Sequence, residues 1–83
     1  MDKQITDWLV VDYSEMKLPI ITMYRHPSDW PDKFIARLWD LNKPTNLFMI
    51  ADTYQELIDK LPFHMHRVPR RKDDDPVIIE SWL

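Results

Sequence analysis

The densest group of ionisable side chains lies between residues 64 and 72, where two histidines and four permanent cations fall within nine residues. Guanidinium and ammonium groups bind phosphate oxygens, so this basic segment predicts an anion site for a nucleic-acid backbone. The contacts would come from His66, Arg67, Arg70, Arg71 and Lys72. Three aspartates at 73–75 follow directly and nearly cancel the charge. A solvated loop that pairs with itself is therefore the alternative.

The same segment contains a His64-x-His66 pair. In an extended chain both imidazoles lie on one side, and one carboxylate from 73–75 would complete a two-histidine, one-carboxylate metal site. The neighbouring cations disfavour a bound metal ion, and the spacing does not specify the third ligand. We therefore predict no metal ion and no other cofactor.

His26, Ser28 and Asp29 contain the residue types of a catalytic triad, but they share one loop. Triad members converge from separate elements and need an oxyanion hole opposite them. Ser28 and Asp29 are more typical of a turn before Pro31. We expect no catalytic residues and a protein that is not an enzyme.

The composition removes several classes of site. The chain has 83 residues with no glycine and no cysteine. Phosphate-binding loops and nucleophile elbows need glycine, and disulfides and thiolate metal sites need cysteine. The net charge of −3 argues against a surface built entirely for nucleic acid. Without a long apolar run or a recognisable leader, we predict a cytoplasmic protein with no membrane partner.

Four tryptophans in so short a chain are many. Packing the core is the simplest use of a tryptophan, but a small core has little room for all of them. Trp30 lies at a loop tip, Trp39 lies opposite the apolar face of its strand, and Trp8 lies in the N-terminal segment. Because aromatic residues are enriched at interface hot spots, these three residues form the predicted interaction patch.

The elements that would position these residues follow from periodicity. Four runs are typical of strands and one stripe is typical of a helix. Thr53 or Asp52 would cap that helix, Gln55 or Glu56 would close a capping box, and Pro62 would end it. The predicted strands are 20–25, 33–39, 47–51 and 77–82, and the helical stripe is Tyr54, Leu57, Ile58 and Leu61.

This order predicts an α+β fold in which an antiparallel three-stranded meander is followed by one helix and a fourth strand, βββαβ. Without glycine, the hairpins are expected to avoid two-residue turns and to use longer loops. Residues 19–83 would form the single domain. Residues 1–18 would form an N-terminal arm or helix that docks loosely, so a chain starting at Met16 is expected to fold, and losing the arm should affect association more than stability.

The junction Ile50-Ala51-Asp52-Thr53-Tyr54-Gln55-Glu56-Leu57 resembles the HicB-like antitoxin domain. That resemblance implies three strands leading into a helix that opens with a Thr-x-x-Glu step, and then a further strand. The run from Ile20 to the end also resembles small proteins common in bacteria and their phages, a resemblance that implies no activity.

The sequence thus predicts a non-catalytic interaction or regulatory module that binds another protein or itself. The alternative is a small nucleic-acid-binding module that uses the basic segment 64–72.

Overall fold

A computed structural model describes residues 3–62 and 65–83, in which six strands form one sheet that carries an α-helix on one face. The strand order is β1-β4-β3-β2-β6-β5. The strands are β1 (Lys3–Gln4), β2 (Pro19–Arg25), β3 (Phe34–Asp40), β4 (Lys43–Ala51), β5 (Arg67–Pro69) and β6 (Ile78–Trp82). The α-helix α1 spans Tyr54–Asp59, and a 3-10 helix spans Trp8–Val10.

The predicted three-stranded meander with one helix and a fourth strand is wrong, because the sheet is six-stranded and mixed. Strands β2, β3 and β4 pair antiparallel in chain order, and β6 lies antiparallel beside β2. Strand β1 adds a parallel pair on β4, and β5 adds an antiparallel pair on β6. These two added strands have two and three residues, too few for an alternating pattern to identify them. The result is a small α+β fold.

Alternation along the central strands divides their side chains between two faces of the sheet. On the helix face, Ile21 and Met23 of β2 and Ala36 and Leu38 of β3 are all fully buried. They form one core cluster with Met49, Leu57 and residues of the N-terminal segment. The opposite face, which we call the open face, carries the intervening residues of the same strands. Its central members are Thr22, Tyr24, Ile35, Arg37, Trp39 and Phe48.

The predicted helix is present, with the capping box that the sequence indicates. The Thr53 side chain accepts a hydrogen bond from the Glu56 backbone, and the Glu56 carboxylate accepts one from the Thr53 backbone. Leu57 is fully buried, whereas Tyr54 and Ile58 are half-buried against the core. At six residues the helix is too short to be stable alone, so packing against the sheet stabilises it.

The turn between β3 and β4 contradicts the expectation of longer loops. Asp40 pairs with Lys43, which leaves Leu41 and Asn42 as a two-residue connection. Leu41 takes a φ of 57°, a conformation that costs a residue with a Cβ about 1–2 kcal/mol. The Leu41 N–H donates to the carbonyl of Leu18 at 2.8 Å, which helps to hold it. Strand β4 therefore begins at Lys43, earlier than the apolar run predicts.

Residues 3–18 pack on the core rather than lying apart from it. Trp8 is 1% exposed and Ile5 is 7% exposed, and both belong to the core cluster. The Ile5 N–H donates to the Phe48 carbonyl at 2.8 Å, and the Tyr13 hydroxyl donates to the Trp8 carbonyl at 2.8 Å. Trp8 is therefore a core residue, and its assignment to the interaction patch is corrected.

With Trp8 and Ile5 in the core, the expected result of removing the arm is the opposite of the one that the sequence alone predicts. A chain shortened to residues 16–83 should fail to fold cooperatively. Loss of a buried tryptophan costs about 3–5 kcal/mol, which is close to the whole stability of a domain of this size. Thermal melting followed by circular dichroism measures this outcome.

The matched control is Leu9→Ala, which truncates the neighbour of Trp8 at a position that is 73% exposed. This variant should melt at the wild-type temperature. A shortened chain that melts cooperatively near that temperature would show that the arm is dispensable.

Candidate interaction surface

The helix and the N-terminal segment pack on one face of the sheet, and no described element packs over the open face. Three shallow hollows cross this face from β4 to β5. The first and second hollows share Tyr24 and Trp39, and the second and third share Ile20, Arg71, Asp74 and Ser81. Because they share walls, the hollows form one continuous surface.

The first hollow has a volume of about 400 Å³ and lies between the β2–β3 loop and the strands. Trp30 and Asp29 of the loop line it together with Tyr24, Arg37 and Trp39 of the strands. Trp30 is 41% exposed, so much of its ring is available for contact. The structure thus places Trp30 and Trp39 of the predicted patch in one hollow.

A pair of aromatic side chains divides the first hollow from the second. The Trp39 indole N–H donates to the Tyr24 hydroxyl oxygen at 3.3 Å. Burial raises the pKa of Tyr24, although the Trp39 hydrogen bond and the charge of Arg37 oppose that rise. The hydroxyl therefore stays protonated at neutral pH and can donate a hydrogen bond to an incoming acceptor.

Arg37 is a residue of this surface that the sequence prediction misses. Its guanidinium lies 5.4 Å from the centroid of the Phe48 ring, within the range of a cation–π contact. One of its nitrogens also donates to the Thr45 carbonyl at 3.2 Å. The alternation of Ile35, Arg37 and Trp39 places all three on one face of β3. That pattern is the sequence signal that could have identified Arg37.

The second and third hollows have volumes of about 440 Å³ and 290 Å³. Arg71 and Asp74 border both, so part of the basic segment reaches the open face. Leu41 lines the second hollow, and Val68 and Leu83 line the third. Asp73 also lines the third hollow, so this end of the open face combines one cation and two carboxylates with exposed apolar side chains.

The residues of the basic segment do not converge on one surface. The Arg67 Nε donates to Glu80 Oε1 at 3.0 Å on the helix face, whereas Arg71 borders the open face. Arg70 donates to the Asp74 carbonyl at 2.8 Å, and the Arg71 backbone N–H donates to the Asp74 carboxylate at 2.8 Å. Much of the segment is thus held by its own acidic neighbours. His66 and Lys72 are exposed, and His64 lies outside the described residues.

Glu80 is a second residue that sequence reasoning misses. It is 2% exposed, and its carboxylate accepts hydrogen bonds from Tyr54, Arg67 and Trp82. A buried carboxylate costs free energy unless several donors satisfy it. These three donors come from α1, β5 and β6 itself, so the cluster joins the edge strand β5 and its neighbour β6 to the helix. Because donors of the same chain satisfy the Glu80 carboxylate, we assign the cluster a structural role.

Of the loop residues considered as a catalytic triad, Asp29 lines the first hollow, whereas His26 packs elsewhere. The His26 ring packs edge-on against Phe34 with 5.0 Å between ring centroids, so the loop histidine has a packing role. The Trp30 backbone N–H donates to the Pro27 carbonyl at 2.9 Å and forms part of the turn. Within residues 3–62 and 65–83, the structure contains no cluster of three metal-binding side chains and no helix suited to crossing a bilayer.

Comparisons of the chain with protein-family models, with curated proteins and with solved structures found no match. The resemblance of residues 50–57 to the HicB-like antitoxin domain therefore carries no argument about function. Function has to be argued from the open face itself.

The Glu80 cluster predicts a specific loss of stability at high pH. Burial and the hydrogen bond to Glu80 raise the pKa of Tyr54 to about 12, above the value of about 10 expected in the unfolded chain. A raised pKa favours the protonated folded state, so this stabilisation is complete below pH 10 and is lost as the pH rises toward 12. The stability gap between wild type and Tyr54→Phe should narrow over that range, as measured by urea denaturation.

Tyr13→Phe serves as the comparison, because the Tyr13 hydroxyl donates to a neutral carbonyl rather than to a carboxylate. Its stability gap to wild type should narrow less. A gap for Tyr54→Phe that stays constant with pH would contradict the proposed charge-sensitive hydrogen bond.

Proposed function

We propose that this protein is a non-catalytic interaction module that binds a partner protein through the open face of its sheet. The observation that carries the proposal is the position of Trp30, which is 41% exposed beside Trp39 on a sheet face that no described element covers. Exposed aromatic residues beside a shallow hollow are the usual anchors of protein interfaces. Its location is proposed to be the cytoplasm, which the absence of cysteine favours.

The charges on the open face support a protein partner rather than a polyanion. Arg37 and Asp29 border the first hollow, and Arg71 and Asp74 border the second. The formal charges of the first hollow cancel, and Asp73 leaves the second and third hollows together with one excess carboxylate, so the face lacks the positive potential that attracts a phosphate backbone. A partner with mixed polar and apolar character matches this surface better.

The same surface offers little to an enzyme mechanism. The ionisable side chains that line its three hollows are Tyr24, Arg37, Arg71 and three aspartates, and none of them forms a pair of nucleophile and general base. Glu80, the buried carboxylate, lies on the opposite face and is saturated by its own donors. The arrangement thus favours recognition over chemistry.

Photo-crosslinking in the host cell tests the proposal. With the photo-reactive residue benzoylphenylalanine at position 30, ultraviolet light should yield a discrete protein adduct heavier than the 10.1 kDa chain. The same residue at position 55 is the control, because Gln55 is exposed on the helix on the other side of the sheet. Adducts should come from position 30 only. No discrete adduct, or the same adducts from both positions, would contradict binding through the open face.

Nucleic-acid binding by the basic segment is the alternative function. The exposure of Arg70, Arg71 and Lys72 favours it, and the pairing of Arg67 with Glu80 opposes it. We expect no gel shift of single- or double-stranded DNA or RNA at low salt.

A salt-sensitive shift that disappears when Arg70, Arg71 and Lys72 are all replaced by alanine would reverse the order of the two functions. Each lost phosphate contact should lower the slope of log affinity against log salt by about one unit.

A further inference from the structure

We infer that the occupant of the open face is a second copy of this chain, so that two sheets pack face to face in a symmetric dimer. The inference rests on the proposed function and names the partner of the same surface. Three observations carry it: where the exposed apolar residues lie, how the charges are distributed, and how the sheet edges end.

The described residues include seven large hydrophobic side chains with high exposure, and four of them line the hollows of the open face. They are Trp30 in the first hollow, Leu41 in the second, and Val68 and Leu83 in the third. Exposed apolar side chains that line connected hollows on one face mark an interaction site. Burial against another sheet would remove this surface from water.

The charges on this face are complementary to themselves. A two-fold axis parallel to the strands and passing between Tyr24 and Trp39 would place the first hollow of one copy over the second hollow of the other. A hollow lined by Arg37 and Asp29 would then face a hollow of the second copy lined by Arg71 and Asp74, so each cation would face a hollow that holds a carboxylate. In a symmetric interface each pairing occurs twice. Because the face carries both signs of charge, two copies can attract each other across the interface.

The edges of the sheet are poorly suited to association, which leaves the open face as the surface for self-assembly. Strand β5 has three residues and ends with Pro69, and β4 contains Pro44 beyond the stretch that β1 covers. Proline has no N–H for a neighbouring strand, and short edges with proline resist edge-to-edge pairing. A dimer that continues the sheet is therefore disfavoured.

The size of the face is compatible with a dimer. Strands β2 and β3 have seven residues each, so five strands give roughly 20 by 23 Å, or about 450 Å² in projection. This area is smaller than the ~800 Å² per partner of a standard interface, so the dimer is expected to be weak and to form only at high concentration. Two such sheets would pack about 10 Å apart, as in a β-sandwich.

Sedimentation equilibrium of the purified chain tests the inference between about 1 μM and 1 mM, a range that separates weak from stable association. The wild type should fit a monomer–dimer equilibrium. Leu41→Asp should raise the dimer dissociation constant at least tenfold, because the change occurs twice in a symmetric interface. Aspartate tolerates positive φ, so the turn should keep its shape.

Leu9→Asp is the matched control, because Leu9 is more exposed than Leu41 and does not line the hollows. Its dissociation constant should equal that of the wild type. Circular dichroism verifies that both variants are folded. If Leu41→Asp does not fold, Trp30→Ala at the loop tip replaces it with the same expected loss of the dimer.

Three results would overturn the inference. A wild type that remains monomeric over the whole range excludes the second copy, while an adduct to another protein from position 30 would still support the proposed function. Dissociation by Leu9→Asp but not by Leu41→Asp would place the interface on the arm. Assembly that grows beyond a dimer with concentration would exclude a closed two-fold contact.

Discussion

The burial of Trp8 and Leu57 against the same face of the sheet is the contact on which the other features depend. Leu57 comes from a helix of six residues, which is too short to cover the central strands alone. The N-terminal segment supplies the missing cover by placing Trp8 in the same core cluster. Both residues are almost completely buried, at 1% exposure or less. Covering one face in this way uses the apolar segments that would otherwise be available for the opposite face.

The open face follows from that constraint. Some of its residues are already buried by neighbours within the same chain. Ile35 is only 4% exposed and Phe48 only 8% exposed. The outer layer of Tyr24, Trp30 and Trp39 is what remains for another molecule to contact. The sheet thus has one face covered by the core and one face that carries exposed aromatic side chains.

The Glu80 cluster shows how the two faces remain independent. Arg67 could have added a cation to a phosphate-binding surface, but it pairs with a carboxylate that is 2% exposed on the helix face. A buried carboxylate without that partner would be costly. The pairing of Arg67 with Glu80 therefore stabilises the junction of β5, β6 and α1. The same pairing leaves the basic segment with one fewer cation for binding a nucleic acid. Arg71, on the other side of the sheet, is left to the open face.

Features that depend on residues close together in the chain can be predicted from the sequence alone. The capped helix begins at Tyr54 because Thr53 and Glu56 satisfy backbone groups within one turn, and β3 divides its residues between two faces because of alternation. Three other features have no such local origin: Trp8 lies in the core, β1 and β5 extend the sheet, and Arg71 and Trp39 border one surface. These outcomes depend on pairing between residues far apart in the chain. Strands as short as Lys3–Gln4 and Arg67–Pro69 contain too few residues to show an alternating pattern, so the sequence alone does not reveal them.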